Sequence, residues 1–236
     1  MSICLISDLH LNEKRDDITE AFSRFLDNKA LEFDDLYILG DLFEAWIGDD
    51  HQDAFISNIK SKLSSYSLKG KKIFVMHGNR DFLIGEDFCN SINGILIDDP
   101  YFIENEDQKI LLTHGDIFCT DDKNYQDFKK IVRTEDWKKK FLSKSIKERI
   151  TLANSLRKES SLENKKKSSE IMDVNIESLN KIVGKYKADI VIHGHVHKPK
   201  IHQEIFGKRY VLGDWDENLW YVAIRENEFC LEKEKI

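Results

Sequence analysis

The feature that most constrains this chain is a series of five short polar blocks, most of which follow a β-branched or aliphatic run that predicts a strand. The blocks are Asp8-Leu9-His10, Gly40-Asp41, Gly78-Asn79-Arg80-Asp81, His114-Gly115-Asp116 and Gly194-His195-Val196-His197. Side chains that follow the carboxyl ends of neighbouring strands meet at one edge of a sheet. We therefore expect these oxygen and imidazole donors to gather at one edge of a sheet.

Each block taken alone has an ordinary interpretation. In an extended segment Asp8 and His10 would point to the same side, but such a pair is more often a capping aspartate beside a surface histidine. A glycine followed by Asp41 is a common turn, and the block around Asn79 is equally compatible with a turn. The occurrence of all five blocks in this order is what predicts a metal site.

The donor types indicate which metal the site would hold. Carboxylate and amide oxygens with imidazole nitrogens, and no thiolate, suit a pair of divalent ions such as manganese and not a structural zinc. The two oxygens of Asp41 can bridge two cations. Arg80, next to the amide of Asn79, carries a planar guanidinium suited to phosphate. These residues together predict a two-metal site that binds a phosphate group.

The five blocks in this order resemble the signature of the calcineurin-like metallophosphoesterases, across residues 3 to 197. The resemblance implies a layered α/β/β/α sandwich and two metal ions bridged by Asp41. It places one ion on Asp8, His10, Asp41 and His197. It places the second on Asp41, Asn79, His114 and His195, with Asp81 or Asp116 supporting the ligands from behind.

Two departures from that family's usual pattern are informative. Many members carry histidine where this chain has Arg80, and their Gly-Asp block usually continues to an aspartate where this chain has Glu44. An arginine cannot act as a general acid as a histidine can. This position therefore does not supply the leaving group's proton in the way a histidine would.

Neighbouring residues narrow the resemblance to the UDP-2,3-diacylglucosamine hydrolases. The similarity runs through residues 40–50, 78–82, 114–122 and 171–175, and so covers nearly the whole chain. It implies manganese-dependent cleavage of the pyrophosphate of UDP-2,3-diacylglucosamine at the uridine-bearing phosphorus, giving 2,3-diacylglucosamine 1-phosphate (lipid X) and UMP in lipid A biosynthesis. The implied catalytic residues are Asp41, Asn79, Arg80, His114 and His195. The implied substrate contacts are Asn79, Arg80, Asp122, Ser160, Asn164, Lys167 and His195.

Hydrophobic periodicity predicts how the chain is organised. Apolar residues recur at helical spacing over Ile18–Leu26 and Phe55–Leu63. The predicted strands are residues 3–7, 36–39, 73–76, 110–113, 189–193, 200–205, 209–212, 220–224 and 229–231. No convincing strand occurs from about 122 to 184. We expect a single domain, residues 1–236, with a helical lid inserted at about 122–184.

The lid segment has a charge opposite to that of the remaining chain. Residues 123–167 contain 15 Lys or Arg and 6 Asp or Glu, a net charge of +9, whereas the whole chain carries −7. Such a run is usually a solvated helical face. In the functional interpretation, its apolar stripes contact acyl chains and its lysines attract the anionic inner leaflet of a membrane. Nucleic acid is disfavoured, because the rest of the chain is acidic and no groove-reading motif occurs.

Composition excludes several other classes of protein. The chain is 41% hydrophobic and 33% charged, as in soluble globular proteins, and it contains no apolar run of 18 residues. Because Asp8 and His10 precede any apolar core of signal-peptide length, we expect a cytoplasmic protein. We further expect it to be a monomer and peripheral to the inner membrane. A hydrolase of other nucleotides or phosphodiesters, which would not need an apolar basic lid, and a non-catalytic binding module on the same fold stay open as alternatives.

Overall fold

The computed structural model describes residues 2–105, 108–164 and 171–236. The strands in these ranges are β1 (Ile3–Ile6), β2 (Asp35–Leu39), β3 (Lys72–Met76), β4 (Gly94–Ile97), β5 (Tyr101–Asn105), β6 (Gln108–Thr113), β7 (Ile190–His193), β8 (Lys200–Glu204), β9 (Gly207–Val211), β10 (Asn218–Arg225) and β11 (Glu228–Lys235). The helices are α1 (Asp16–Asp27), α2 (Ala54–Ser67), α3 (Glu86–Ser91), α4 (Lys123–Val132), α5 (Glu135–Leu142), α6 (Ile146–Asn164) and α7 (Ile176–Tyr186). A short 3-10 helix spans Lys29–Glu32.

These strands form two sheets. The first has the order β11-β10-β1-β2-β3-β4, in which β1 to β4 run parallel and β10 and β11 pair antiparallel. The second has the order β5-β6-β7-β9-β8, with β6, β7 and β9 parallel and the two outer strands antiparallel to their neighbours. Each sheet therefore has a central group of parallel strands whose carboxyl ends point the same way.

Alternation along the central strands divides the interior into layers. In β1, Ile3 and Leu5 face the second sheet, while Cys4 and Ile6 face α1 and α2. Both faces of this strand are buried, which explains why its sequence reads as a continuous apolar run. On the far side of the second sheet, Leu179 of α7 packs with neighbouring strand residues. The predicted α/β/β/α sandwich is thus confirmed.

The strand predictions were confirmed to within a few residues, except that β4 and β5 were not foreseen. β4 has only four residues and begins with a glycine, so its apolar run is short. β5 returns antiparallel against β6. One further expectation was wrong: the donor blocks do not lie at one edge of one sheet, because three follow β1, β2 and β3 of the first sheet and two follow β6 and β7 of the second.

Helices α4, α5 and α6, which we call the lid helices, lie between the strand β6 and α7. No strand occurs in the described residues from 122 to 184, as the sequence predicted. The lid helices touch the main core through Phe141, which is buried, and through Trp137, Ile146 and Leu152, which are partly buried. The lid therefore packs on the loops and helices of the first sheet.

Candidate metal centre

All seven predicted metal ligands come together where the two sheets end. On one side, Asn79 Oδ1 lies 2.8 Å from both His114 Nε2 and His195 Nδ1. On the other side, His197 Nε2 lies 3.3 Å from His10 Nε2 and 3.4 Å from Asp8 Oδ1. The contact between His10 and His197 spans 187 residues of the chain, yet the donors form two adjacent groups.

Asp41 lies between these two groups. Its Oδ2 atom is 3.9 Å from His10 Nδ1 and also 3.9 Å from His114 Nε2. Donor atoms of Asp8, His10 and His197, and separately those of Asp8, Asp41 and His114, lie within 4.8 Å of one another. Asp8 belongs to both of these groups, and Asp41 Oδ2 lies 3.9 Å from a histidine of each, so the geometry fits two adjacent cations with carboxylates between them. The assignment of each ligand to one ion stays a prediction.

The backbone of the ligand loops is strained in a consistent way. Among the described residues, nine non-glycine residues have a positive φ, and five of them are ligands: Asp8 (57°), His10 (51°), Asp41 (52°), His195 (69°) and His197 (52°). Left-handed backbone costs an L-residue roughly 1–2 kcal/mol, and such strain concentrates at functional sites. The expectation that Asp8 and His10 lie on an extended segment was wrong, since β1 ends at Ile6.

Hydrogen bonds between the loops offset this strain. Asp8 N donates to Gly40 O at 3.1 Å, and His10 N donates to Asp41 O at 3.0 Å. The carboxylate of Asp81 accepts hydrogen bonds of 2.8 to 3.4 Å from four backbone N–H groups. One is that of Gly78 in its own loop, and the others are those of Asp41, Leu42 and Phe43 in the loop after β2. Asp81 thus supports the ligands from behind, as the sequence suggested.

The buried donors fit a metal ion. Asp8 Oδ1 is buried, accepts no hydrogen bond from the described residues and lies 3.4 Å from His197 Nε2, so its negative charge requires a neighbouring cation, which is either the protonated ring of His197 or a metal ion. His114 Nδ1 lies 2.9 Å from Leu39 O and donates to it, so its Nε2 faces the oxygen of Asn79 at 2.8 Å. Burial disfavours the charged form of this ring, but the charges of Asp41 and Asp8 outweigh it and raise the pKa of His114, which favours a proton on Nε2 when no metal is bound. Two acceptors at 2.8 Å repel each other unless a proton or a metal ion lies between them.

Burial and charge set the protonation of the histidines. Burial lowers the pKa of His195 to about 3, with the charge of His114 adding to the effect, so this ligand is neutral at pH 7. Burial also disfavours the charged form of His197, but its interactions with Asp214 and Asp8 outweigh this and raise its pKa to about 10. A metal ion at the latter position would therefore replace a proton.

Carboxylates behind the predicted ligands contact a ligand or tie its loop to other parts of the molecule. His197 Nδ1 lies 3.4 Å from Asp214 Oδ2, which is a carboxylate–histidine arrangement typical of metal ligands. Asp214 was not foreseen, although it follows a strand and a glycine in the same way as Asp41 does. Asp116 is buried and binds Tyr125 Oη and Lys129 Nζ of α4, so it joins the ligand loop to the lid.

The predicted substrate-binding residues lie in different environments. Arg80 lies at the rim of the site, with about one third of its side chain exposed. Asp122 is buried and caps α4 by accepting from Tyr125 N at 3.1 Å. Ser160 is exposed on α6, and Asn164 is the last residue of that helix. Lys167 lies outside the described residues.

The arginines and lysines of the lid helices behave differently. Two arginines of α6 and one directly after α4 contact the loops of the first sheet: Arg133 Nη2 donates to Gly78 O at 2.7 Å, Arg149 Nη1 donates to Ile47 O at 2.7 Å, and Arg157 pairs with Glu44. Most lysines of these helices are exposed. The positive charge of the segment thus has two parts, one that attaches the lid and one that faces solvent.

A family model for calcineurin-like phosphoesterases matches residues 1–199 of the chain. The chain belongs to this family. It is a hydrolase, and its family together with the two ligand groups indicates the use of divalent metal. The sandwich fold and the metallophosphoesterase resemblance inferred from the sequence are therefore confirmed.

Curated relatives of this phosphoesterase narrow the comparison. The chain is 45% identical to UDP-2,3-diacylglucosamine hydrolase of Marinobacter nauticus over 97% of its own length and 95% of the relative's. It is 42% identical to the protein of that name in Pseudomonas entomophila over 97% of both chains. The resemblance to this group within the calcineurin-like phosphoesterases is confirmed, and it includes the lid helices.

A solved structure of an archaeal phosphodiesterase matches this phosphoesterase with a TM-score of 0.51 and 14% sequence identity, covering 100% of both chains. Such a similarity shows the fold alone. Within the described residues, no helix is long and apolar enough to cross a membrane.

Proposed function

We propose that this phosphoesterase hydrolyses the pyrophosphate bond of UDP-2,3-diacylglucosamine, releasing lipid X (2,3-diacylglucosamine 1-phosphate) and UMP in lipid A biosynthesis, with two manganese ions. The observation that carries the proposal is the identity of 41–45% to hydrolases of that name over 96–97% of the chain in several relatives, lid helices included. Manganese suits the mixed oxygen and imidazole donors of the site.

The ligand residues would bind and orient the reacting group. Asp8, His10, Asp41 and His197 would hold one ion, and Asn79, His114 and His195 would hold the second together with Asp41. Divalent ions in such a site activate a water as nucleophile and withdraw charge from phosphoryl oxygens. Because the loops are fixed by backbone hydrogen bonds, the donors need little rearrangement when the substrate binds.

Arg80 fits cleavage of an anhydride better than cleavage of an ordinary ester. The leaving group of a pyrophosphate is itself a phosphate, whose second pKa is about 6, so it can depart without a proton from the enzyme. A histidine acid is then not required at this position. A guanidinium can instead stabilise the negative charge on the departing phosphate.

The lid helices carry apolar side chains next to this polar site. The Trp137 ring stacks on Phe141 at 4.9 Å and lies 6.0 Å from Phe82, two residues after Arg80. Further out, Phe128 and Ile131 of α4 are exposed. Apolar side chains that contact the loop carrying Arg80 suit a substrate that joins acyl chains to a diphosphate.

Turnover tests this proposal most directly. The manganese-loaded enzyme should release UMP from UDP-2,3-diacylglucosamine far faster than from the same nucleotide without acyl chains or from an aryl phosphodiester. Equal rates on the aryl phosphodiester would indicate a phosphoesterase of other substrates. Bound metal without any UMP release would indicate a binding module.

The exposed lysines of the lid support a peripheral location on the cytoplasmic side of the inner membrane. Changing Lys138, Lys139 and Lys140 together to Gln should weaken binding to vesicles that contain anionic lipid, because each lysine near such a surface contributes about 1 kcal/mol. Sedimentation with vesicles at low and high salt measures the effect.

A matched control is available at the opposite end of the first sheet, where Lys69, Lys71 and Lys72 lie near the beginning of β3. Changing these three to Gln removes the same charge and should leave vesicle binding unchanged. If both triple variants bind vesicles like the wild type, and if acyl groups prove dispensable for turnover, the membrane role of the lid is refuted.

A further inference from the structure

Glu44, in the loop after β2, belongs to neither predicted ligand group, although it lies at the rim of the site. Its backbone is fixed, because Glu44 N donates to Leu11 O at 3.1 Å and the turn before it is held by Asp81, which accepts from Phe43 N. About one quarter of its side chain is exposed. The carboxylate therefore has a defined position between the ligand loops and the lid helices.

The two oxygens of this carboxylate contact three different parts of the molecule. Oε2 lies 3.1 Å from Nδ1 of His10, a predicted metal ligand. Oε1 lies 3.3 Å from Nη1 of Arg80 and also contacts Nη2 of Arg157, in the middle of α6. In the described part of the chain, Glu44 is the only carboxylate that forms an ion pair with either arginine.

The charges at this junction are unequal. One carboxylate is shared by two guanidinium groups, so one positive charge is left for an incoming anion. Arg80 is attached to the loop that carries Asn79, and its backbone N donates to Asp41 Oδ1 at 2.8 Å. Arg80 can therefore turn toward a phosphate beside the ligands while Arg157 keeps its contact with Glu44.

We propose that Glu44 is a positioning residue that aligns Arg80 for the phosphate of the substrate and, through Arg157, fastens α6 over the site. The inference rests on the proposed function in one respect, namely that Arg80 binds the diphosphate. An arginine held in place before substrate arrives loses less freedom when it binds. Because the carboxylate stays paired with Arg157, the lid remains attached after Arg80 has turned to the substrate.

Glu44→Gln, Arg157→Met and the double variant test this inference as manganese-loaded enzymes on UDP-2,3-diacylglucosamine. Glu44→Gln keeps the size of the side chain and removes its charge; we expect kcat to fall about 10- to 100-fold, the range seen for supporting partners of site residues, with bound manganese unchanged. Arg157→Met should chiefly raise KM. The double variant should be no slower than Glu44→Gln alone, since both act through one contact.

Hydrogen exchange gives a readout that needs no substrate. Backbone amides of α6 should exchange faster in Glu44→Gln and in Arg157→Met than in the wild type. Glu159→Gln makes the same chemical change at an exposed position of the same helix and should alter neither exchange nor kcat.

Three results would overturn the inference. The first is loss of manganese in Glu44→Gln, which would make Glu44 a support for His10 alone. The second is a multiplicative loss of turnover in the double variant, and the third is unchanged hydrogen exchange of α6 in both single variants. If the wild type does not cleave the diacylated nucleotide, the proposed function fails. The exchange measurement would still decide whether Glu44 fastens the lid.

Discussion

The ligand loops and the lid helices are held to the same sandwich by different interactions. Backbone hydrogen bonds run from loop to loop, and the ligands themselves adopt left-handed backbone at five positions. The lid helices depend on side chains, chiefly three arginines that reach the loops of the first sheet. The molecule therefore holds the predicted metal ligands rigidly. It attaches the lid helices at a few points, which leave the outer face of these helices exposed to solvent.

The largest expected effect comes from removing the carboxylate at the centre of the rigid region. Asp41→Ala should abolish binding of at least one metal ion and lower turnover by about 1000-fold or more, because several kcal/mol of charge stabilisation depend on the metal. Elemental analysis and UMP release measure both. Asp214→Asn, which removes only the support of His197, should cost about 10- to 100-fold in metal affinity. Full metal content in Asp41→Ala would contradict the shared-carboxylate geometry.

A pair of glycine substitutions compares a ligand loop with α7, a helix that is not one of the lid helices. The Cβ of Gly78→Ala would lie 2.0 Å from Asp41 Oδ1 and 2.3 Å from Asp41 N, so the loops must move, at a cost of about 1–3 kcal/mol in unfolding free energy with weaker metal binding. In α7, Gly184→Ala meets no atom within 4 Å and should stabilise the protein by about 0.5–1 kcal/mol. Chemical denaturation of both variants measures the difference. Equal changes in unfolding free energy, of the same sign, would show that the loop at Gly78 is packed no more tightly than the helix at Gly184.

The attachment of the lid should be easier to weaken. Arg149 is buried and donates to Ile47 O and to both oxygens of Asp50. Arg149→Met should lower the unfolding free energy by about 1–3 kcal/mol, since the carbonyl loses its buried donor. Lys147→Met removes an exposed charge two residues away and should change stability by less than about 0.5 kcal/mol. Urea denaturation distinguishes them, and equal losses would show that Arg149 is not an anchor.

Sequence could predict the ligand cluster because ligands follow strands, and strand ends follow from local hydrophobic pattern. It could not predict the left-handed backbone of Asp8 and His10, since that conformation depends on hydrogen bonds to the loop after β2. The sequence also could not distinguish Arg149, which attaches the lid, from the exposed lysines around it. The contact with Asp50 spans 99 residues, and both residue types carry the same charge.

Three of the ligand loops come from the first sheet and two from the second, so a bound ion joins the two halves of the sandwich. Binding that occurs only in the folded state stabilises it by about 2.7 kcal/mol when the free metal is 100 times its dissociation constant. Thermal unfolding should therefore shift upward with added manganese and downward with a chelator. For this protein, the supply of divalent metal would govern its lifetime in the cell as well as its rate.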